Sequence, residues 1–395
     1  MEITLLRVFL VIYVATFIFK CGDSEIDSVF IPPVVTSEAK NIILFIGDGM
    51  GEEHRKAARL VKVGSAGRLS MDNMPTRGFL QTYSADSLIT DSAAGATALA
   101  TGVKTNNGVI GLDANLGFVP TILEDAKNQD KLVGLVTTVQ ITHATPAAFY
   151  AHVENRAMMT NIALQMLHAD IDVLLGGGED EFLPSSESGC YPEAGERGDG
   201  RNLIQEAISI GYTYVCDLPS FRAIDSSTSP KLLGLFGDEG LIRPFSPSLA
   251  EMTQRAIDIL SKETNGFFLM VEGGQIDWAS HNNDATNAIS DTIDFDEAVE
   301  VARQFSFIDR DTLIIVTADH ETGGMSVSPS PNGLASEDGP FSTADGNLFY
   351  VNWSTTGHTA VNVPITSQGP ASERLSGVHD NTFVHSVMHG ALSDD

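Results

Sequence analysis

The chain has 395 residues, 43% of them hydrophobic, and a formal net charge of −29 from 23 basic and 52 acidic side chains. An acidic balance of that size excludes electrostatic binding of nucleic acid or of an anionic membrane surface. The length allows two or three average domains or a single large α/β domain, and the apolar fraction is ample for a core.

Met1 to Lys20 reads as an export signal, because Arg7 precedes the apolar run Val8 to Phe19, which is too short for an ordinary membrane span. The expected destination is the periplasm or the exterior, with no transmembrane span in the mature chain. Cys21, followed by Gly22-Asp23-Ser24, is a candidate lipid acceptor, but Ile18-Phe19-Lys20 fits a lipoprotein signal poorly and plain secretion is preferred. Residues 21–40 read as a linker and 41–395 as one folded domain.

Four apolar, β-rich runs follow, each ending in oxygen or imidazole side chains. Ile42 to Ile46 runs into Gly47-Asp48-Gly49, and Leu132 to Val139 into Thr142-His143-Ala144-Thr145. Phe267 to Val271 runs into Glu272-Gly273-Gly274-Gln275-Ile276-Asp277, and Leu313 to Val316 into Thr317-Ala318-Asp319-His320-Glu321. Continuous apolar runs suit strands buried on both faces of a largely parallel sheet. Ligands of such sheets collect beyond the carboxyl ends of the strands. Four strands delivering Asp, Glu, Thr and His to one edge point to a polynuclear metal site.

Between the first two runs, Thr90-Asp91-Ser92-Ala93-Ala94-Gly95-Ala96-Thr97 predicts a helix of small residues capped by Thr90 or Asp91. Ser92 then lies in the first turn, where free N–H groups and the positive end of the helix dipole favour an alkoxide or a phosphate. Later in the chain, Ser326 to Ser342 is rich in Ser, Pro, Gly and Asp and reads as part of a surface insertion reaching to about residue 347. Leu348 to Trp353 resumes a strand pattern, and Asn381 to Leu392 predicts a closing helix. The polar end Leu392-Ser393-Asp394-Asp395 encodes no GPI-type tail. Cys190 and Cys216 can pair in an oxidising compartment or remain as buried thiols. His54, His152, His168, His379, His385 and His389 are read as packing or exposed helix positions, Glu52 and Glu53 as a helix-start acidic pair, and Asp172 as structural.

Taken with Glu154-Asn155-Arg156 and Gly357-His358-Thr359, these motifs resemble the alkaline phosphatase family, in the family's order, from Asn41 to about Thr359. The resemblance implies an α/β fold: a large central mixed, mostly parallel sheet flanked by helices on both faces, with a smaller surface insertion, assembled as a homodimer. It implies two Zn2+ ions and one Mg2+ ion. One zinc would be held by Asp277, His281 and His358, and the second by Asp48, Asp319 and His320, with Ser92 as the further ligand that becomes the nucleophile. Magnesium would take Asp48, Thr145 and Glu272. Arg156 would bind substrate phosphate together with Ser92, and the partners would be phosphate monoesters and inorganic phosphate.

The residue chemistry agrees with these roles. Asp277 and His281 share a helix face at i, i+4. Imidazole-rich sets suit zinc and all-oxygen sets suit magnesium, while an Arg fork pairs bidentately with phosphate. His143 and Trp278 are expected just outside the ligand shell, where the family's bacterial prototype carries Asp and Lys. The rival readings are a phosphodiesterase or sulfatase on the same scaffold, a non-catalytic extracellular metal- or phosphate-binding protein, and a structural or interaction protein using its acidic surface. Diesterases of the superfamily usually carry Thr where Ser92 stands.

Overall fold

The computed structural model describes residues 38–392, so the export segment Met1 to Lys20 and the lipid-acceptor candidate Cys21 lie outside the described residues. The strands in chain order are β1 (Asn41–Gly47), β2 (Thr76–Gln81), β3 (Leu132–Gln140), β4 (Val173–Gly177), β5 (Thr213–Val215), β6 (Leu232–Leu235), β7 (Phe267–Gly273) and β8 (Thr312–Thr317). After these come β9 (Glu321–Thr322), β10 (Ser326–Ser328), β11 (Glu337–Ser342), β12 (Leu348–Asn352), β13 (His358–Thr359), β14 (Val363–Gln368) and β15 (Gly377–Asp380). The helices are α1 (Glu52–Val63), α2 (Ser92–Thr101), α3 (Ile122–Asn128), α4 (Ala144–Ala147), α5 (Met159–His168) and α6 (Leu203–Ser209). They continue with α7 (Leu218–Arg222), α8 (Leu249–Leu260), α9 (Gln275–His281), α10 (Ala285–Ile308) and α11 (Thr382–Leu392).

Ten strands form one sheet in the order β15-β2-β14-β8-β1-β7-β3-β4-β6-β5. Only β14 runs against its neighbours, so the sheet is mixed and mostly parallel. The four apolar runs are its centre. Ile42 to Ile46 are fully buried, as are Phe267 to Val271 and Leu313 to Val316, because helices cover both faces. Helix α10 packs against α1 and α8, and α8 and α10 pack on the central strands, while α2, α3 and α11 form the other layer. Burying each of these large side chains contributes roughly 1.5–3 kcal/mol before the ordering entropy is counted.

Register fixes where the site forms. Ile46 of β1 lies beside Glu272 of β7 on one side and Thr317 of β8 on the other. The chain therefore leaves three adjacent strands at one level, and Asp48, Glu272 and Asp319 emerge together. Thr137 of β3 sits across from Glu272 on the far side of β7.

Residues 326–352, which include the Ser/Pro/Gly-rich stretch, fold as a separate three-stranded antiparallel sheet in the order β10-β12-β11. Cys190 and Cys216 form a disulfide across 26 positions. Asp172 is structural: its carboxylate accepts the Val133 N–H at 2.9 Å and ties β4 to β3. No helix among the described residues is long and apolar enough to cross a membrane.

Candidate active site

Helix α2 is buried along its whole length, and its Ala, Gly, Ser and Thr side chains are what permit that. A Cβ at Gly95 would lie 3.0 Å from the Asp319 carbonyl oxygen, so glycine lets the helix sit against the end of β8. Asp91 is the N-cap, its Oδ1 accepting the Ala94 N–H at 3.0 Å. Ser92 follows as the first helical residue, buried, at the N–H-rich end. Its Oγ lies 3.2 Å from His320 Nε2.

His320 is the hub of the arrangement. It is fully buried, and the same Nε2 lies 3.4 Å from Asp48 Oδ1 and 3.3 Å from Asp319 Oδ2. Its ring stacks on His358 with centroids 3.6 Å apart. Antiparallel pairing of β13 with β9 puts His358 opposite Thr322, two residues beyond His320, which is how a distant segment joins the cluster. His281 Nε2 lies 3.3 Å from Asp277 Oδ2 and 3.1 Å from His358 Nε2. The other ring nitrogens meet backbone oxygens, His281 Nδ1 at Thr356 (2.6 Å) and His358 Nδ1 at Thr90 (2.9 Å), leaving both Nε2 atoms aimed inward.

A second set lies deeper. Asp48 and Glu272 are fully buried, and Thr145, also fully buried, places its hydroxyl beside Glu272. Thr137 Oγ donates to Glu272 Oε2. At Gly49 a positive φ of 69° coincides with crowding, since a Cβ there would lie 2.7 Å from Thr322 Oγ1 and 2.9 Å from Asp277 Oδ1. Glycine lets the loop turn tightly beneath the ligands.

The electrostatics are those of a site built for added positive charge. Burial, then Asp319, Asp277 and Glu272, push the Asp48 carboxyl well above its ordinary range. Burial raises Glu272 to about 8, and burial with the Asp277 charge raises Asp319 to about 6. Burial lowers His320 to about 4. Burial acts upward on Asp277 too, but the His281 hydrogen bond and the charges of His320, His281 and His358 outweigh it and hold its carboxyl low; the same hydrogen bond raises His281 to about 9. Both Asp48 oxygens, Glu272 Oε1 and Asp319 Oδ2 are buried with no hydrogen-bond partner. Unpaired buried carboxylates carry a heavy desolvation penalty, which a cation relieves.

The donor set fits metal ions. The ligand atoms of Asp277, His281 and His358 all lie within 4.8 Å of one another, as do those of Asp48, Asp277 and His320, and those of Asp48, His143 and Glu272. Oxygen with imidazole is zinc chemistry, and the oxygen-rich inner set suits a harder ion.

Arg156 is partly exposed beside this set. Its Nη1 donates to Asp91 Oδ2 at 3.1 Å, and its Nη2 lies 3.0 Å from His143 Nε2. Asp91 thus caps α2 with one oxygen and orients the guanidinium with the other. Trp278 meets His143 edge to face, centroids 6.2 Å apart.

A sequence profile of alkaline phosphatase matches residues 39–338. The chain belongs to the alkaline phosphatase family. It is a phosphatase. It is 36% identical to alkaline phosphatase 4 of Bacillus subtilis, covering 90% of this chain and 89% of that one. Alkaline phosphatase of Escherichia coli is 34% identical over 90% of this chain and 86% of its own length. The solved alkaline phosphatase of the Antarctic bacterium TAB5 superposes with a TM-score of 0.78 at 33% identity, covering 90% of this chain and all of that one. A mutant of the TAB5 enzyme has been solved with Mg bound.

Every residue singled out in the sequence for metal or phosphate binding is therefore in one cluster at the strand ends. Sequence reading missed the supports: Thr137 on Glu272, Thr322, whose Oγ1 donates to Asp277 Oδ1 at 2.5 Å, and the Thr90 and Thr356 carbonyls. Nothing in the sequence distinguishes Thr137 from an ordinary strand residue. Thr322, two positions beyond His320, was the one detectable signal.

Proposed function

We propose that this chain hydrolyses phosphate monoesters through a phosphoserine at Ser92, using two Zn2+ ions and one Mg2+ ion. The observation that carries the reading is the convergence of Ser92 Oγ, His320 Nε2, Asp48 and Asp319 within about one ligand-to-ligand distance, on buried carboxylate oxygens that have no other partner. Asp277, His281 and His358 would hold one zinc. Asp48, Asp319 and His320 would hold the other, and Asp48, Thr145 and Glu272 the magnesium. When bound, the ions supply Lewis acidity: they acidify the Ser92 hydroxyl, polarise the phosphoryl group and stabilise the leaving oxygen.

The residues of the chain do the rest. The α2 N-terminus and the Arg156 guanidinium hold the non-bridging oxygens, with Asp91 fixing both, so the phosphorus is presented in line with Ser92 Oγ. Ser92 loses its proton as Oγ bonds to phosphorus, the ester P–O bond breaks, and the alcohol leaves with a proton. Water then attacks phosphorus from the vacated side, the Oγ–P bond breaks, and inorganic phosphate and the serine hydroxyl are regenerated. Both steps require deprotonated oxygen nucleophiles, so turnover should rise toward alkaline pH. Contacts restricted to the phosphoryl group would leave the alcohol largely unread. The family resemblance also carries export and a homodimer, for which sedimentation of the secreted protein is the check.

The test is monoester and diester hydrolysis at alkaline pH before and after chelation, with zinc and magnesium restored separately. Monoester activity that is lost on chelation and returns in full only with both metals supports the reading. Diester turnover exceeding monoester turnover, or activity indifferent to chelation, contradicts it.

A further inference from the structure

Away from the strand ends, the closing helix brings two histidines, four positions apart, onto a carboxylate from a segment some 260 residues earlier. His389 Nδ1 lies 3.0 Å from Asp125 Oδ2, and His385 Nε2 lies 3.8 Å from the same oxygen. The two rings stack with centroids 5.6 Å apart. The ligand atoms of Asp125, His385 and His389 all lie within 4.8 Å of one another. We propose that these three residues form a further divalent transition-metal site, separate from the catalytic cluster, that clasps α11 to α3.

Four observations support this. Tetrahedral zinc with bonds near 2.0–2.1 Å needs donor-to-donor distances of about 3.3–3.5 Å, and the two measured ones bracket that range. His385 Nε2 is buried without a hydrogen-bond partner, being too far from the carboxylate for one, yet it faces it. Two His at i, i+4 on one helix with a carboxylate from another element is a donor set that suits zinc and its neighbours in the first transition row. Exposure is graded from His385 (16%) and Asp125 (19%) to His389 (52%), which leaves an outer side where water can complete the shell.

The place of the cluster gives it a consequence. His385 packs on Gly102, the C-cap of α2, so closely that a Cβ there would lie 2.9 Å from its Nδ1. Ser92 starts the same ten-residue helix, roughly 15 Å away along its axis. An ion at this position would pin α11 and α3 against the far end of the nucleophile helix without touching the chemistry.

The experiment uses the full chain with its catalytic metals loaded, equilibrated with rising free Zn2+, reading bound zinc per chain and the melting temperature. Wild type should bind one ion more than His389→Ala and His385→Ala, and zinc should raise its melting temperature but not theirs, while all three keep their monoesterase activity. His389→Ala removes a half-exposed side chain, so it keeps the test open if His385→Ala fails to fold. Equal zinc content in wild type, His389→Ala and Asp125→Asn, with no zinc-dependent shift in melting, would overturn the proposal and leave a His–Asp hydrogen bond.

Discussion

At the ends of β1, β7 and β8, the carboxylates of Asp48, Glu272 and Asp319 are fully buried; beyond β4 and β6, Asp180 and Glu181 are buried too, within the field of Glu196 and Glu239. Burial acts on both clusters in the same way. It raises Glu272 to about 8 and Asp319 to about 6, and, reinforced by neighbouring acids, it raises Asp180 and Glu181 each to about 7. What separates them is convergence. The first cluster has His320 inside ligand distance of Asp48, and Asp277 beside it extends the set to His281 and His358, whereas among the described residues no three carboxylates of the second form such a group. Acidity and burial alone do not make a metal centre. The proposed metal centre rests on strand register that delivers acids to one level, with His281 carried by α9 and His358 by the β13–β9 pairing.

The largest expected effect comes from removing an acid of the first cluster. Asp48→Asn should cut monoester turnover by orders of magnitude and lower both zinc and magnesium content, because Asp48 faces both sets. Metal analysis that finds full occupancy in this variant would break the comparison at its strongest point. Thr145→Val should act more narrowly, weakening magnesium by about 10–100-fold while zinc stays bound; equal loss of both metals would contradict the division into inner and outer sets.

A smaller effect is expected at the rim. Trp278 brings an indole against His143, where a lysine would add a cation near bound phosphate. Trp278→Lys should tighten inhibition by inorganic phosphate by about 1 kcal/mol, roughly fivefold, and lower kcat where product release limits turnover. Phosphate inhibition that is unchanged or weaker, with metals intact, would remove the product-release argument.

The smallest effect sharpens the comparison from the other cluster. The folded-state pKa of Glu181 is raised to about 7 from an ordinary 4.5. Between those values the native state binds more protons than the unfolded state, so stability falls as pH rises through that window and the penalty is complete above it. Glu181→Gln should therefore raise the melting temperature by about 1–2 °C at pH 9 and change it little at pH 4, with metal content untouched. Loss of metal in this variant would mean that the second cluster is a metal site after all.

The strand ends were legible in the sequence because each apolar run is continuous and its polar ending is adjacent, so sheet register does the remaining work. The small-residue helix was legible for a related reason: its small residues follow one another directly, and Gly95 among them lets the helix approach the Asp319 backbone, where a Cβ would lie 3.0 Å from the carbonyl oxygen. The anchor of Arg156 on Asp91 was not, since the two lie 65 positions apart in different loops. His385 and His389 were read as packing or exposed positions. Their i, i+4 spacing was visible, but Asp125, the partner that gives it meaning, is 264 residues from His389.

The central claim is that Ser92 carries the phosphoryl group. The most direct measurement is acid quench of the metal-loaded enzyme during monoester turnover, followed by mapping of the phosphorylated peptide, in wild type and in Ser92→Ala. The cap is Asp91, so the variant should fold and keep its metals. The account predicts phosphate on the peptide containing Ser92 in wild type, none in the variant, and only residual turnover there. Phosphate on a peptide lacking Ser92, or wild-type turnover in Ser92→Ala, would contradict it.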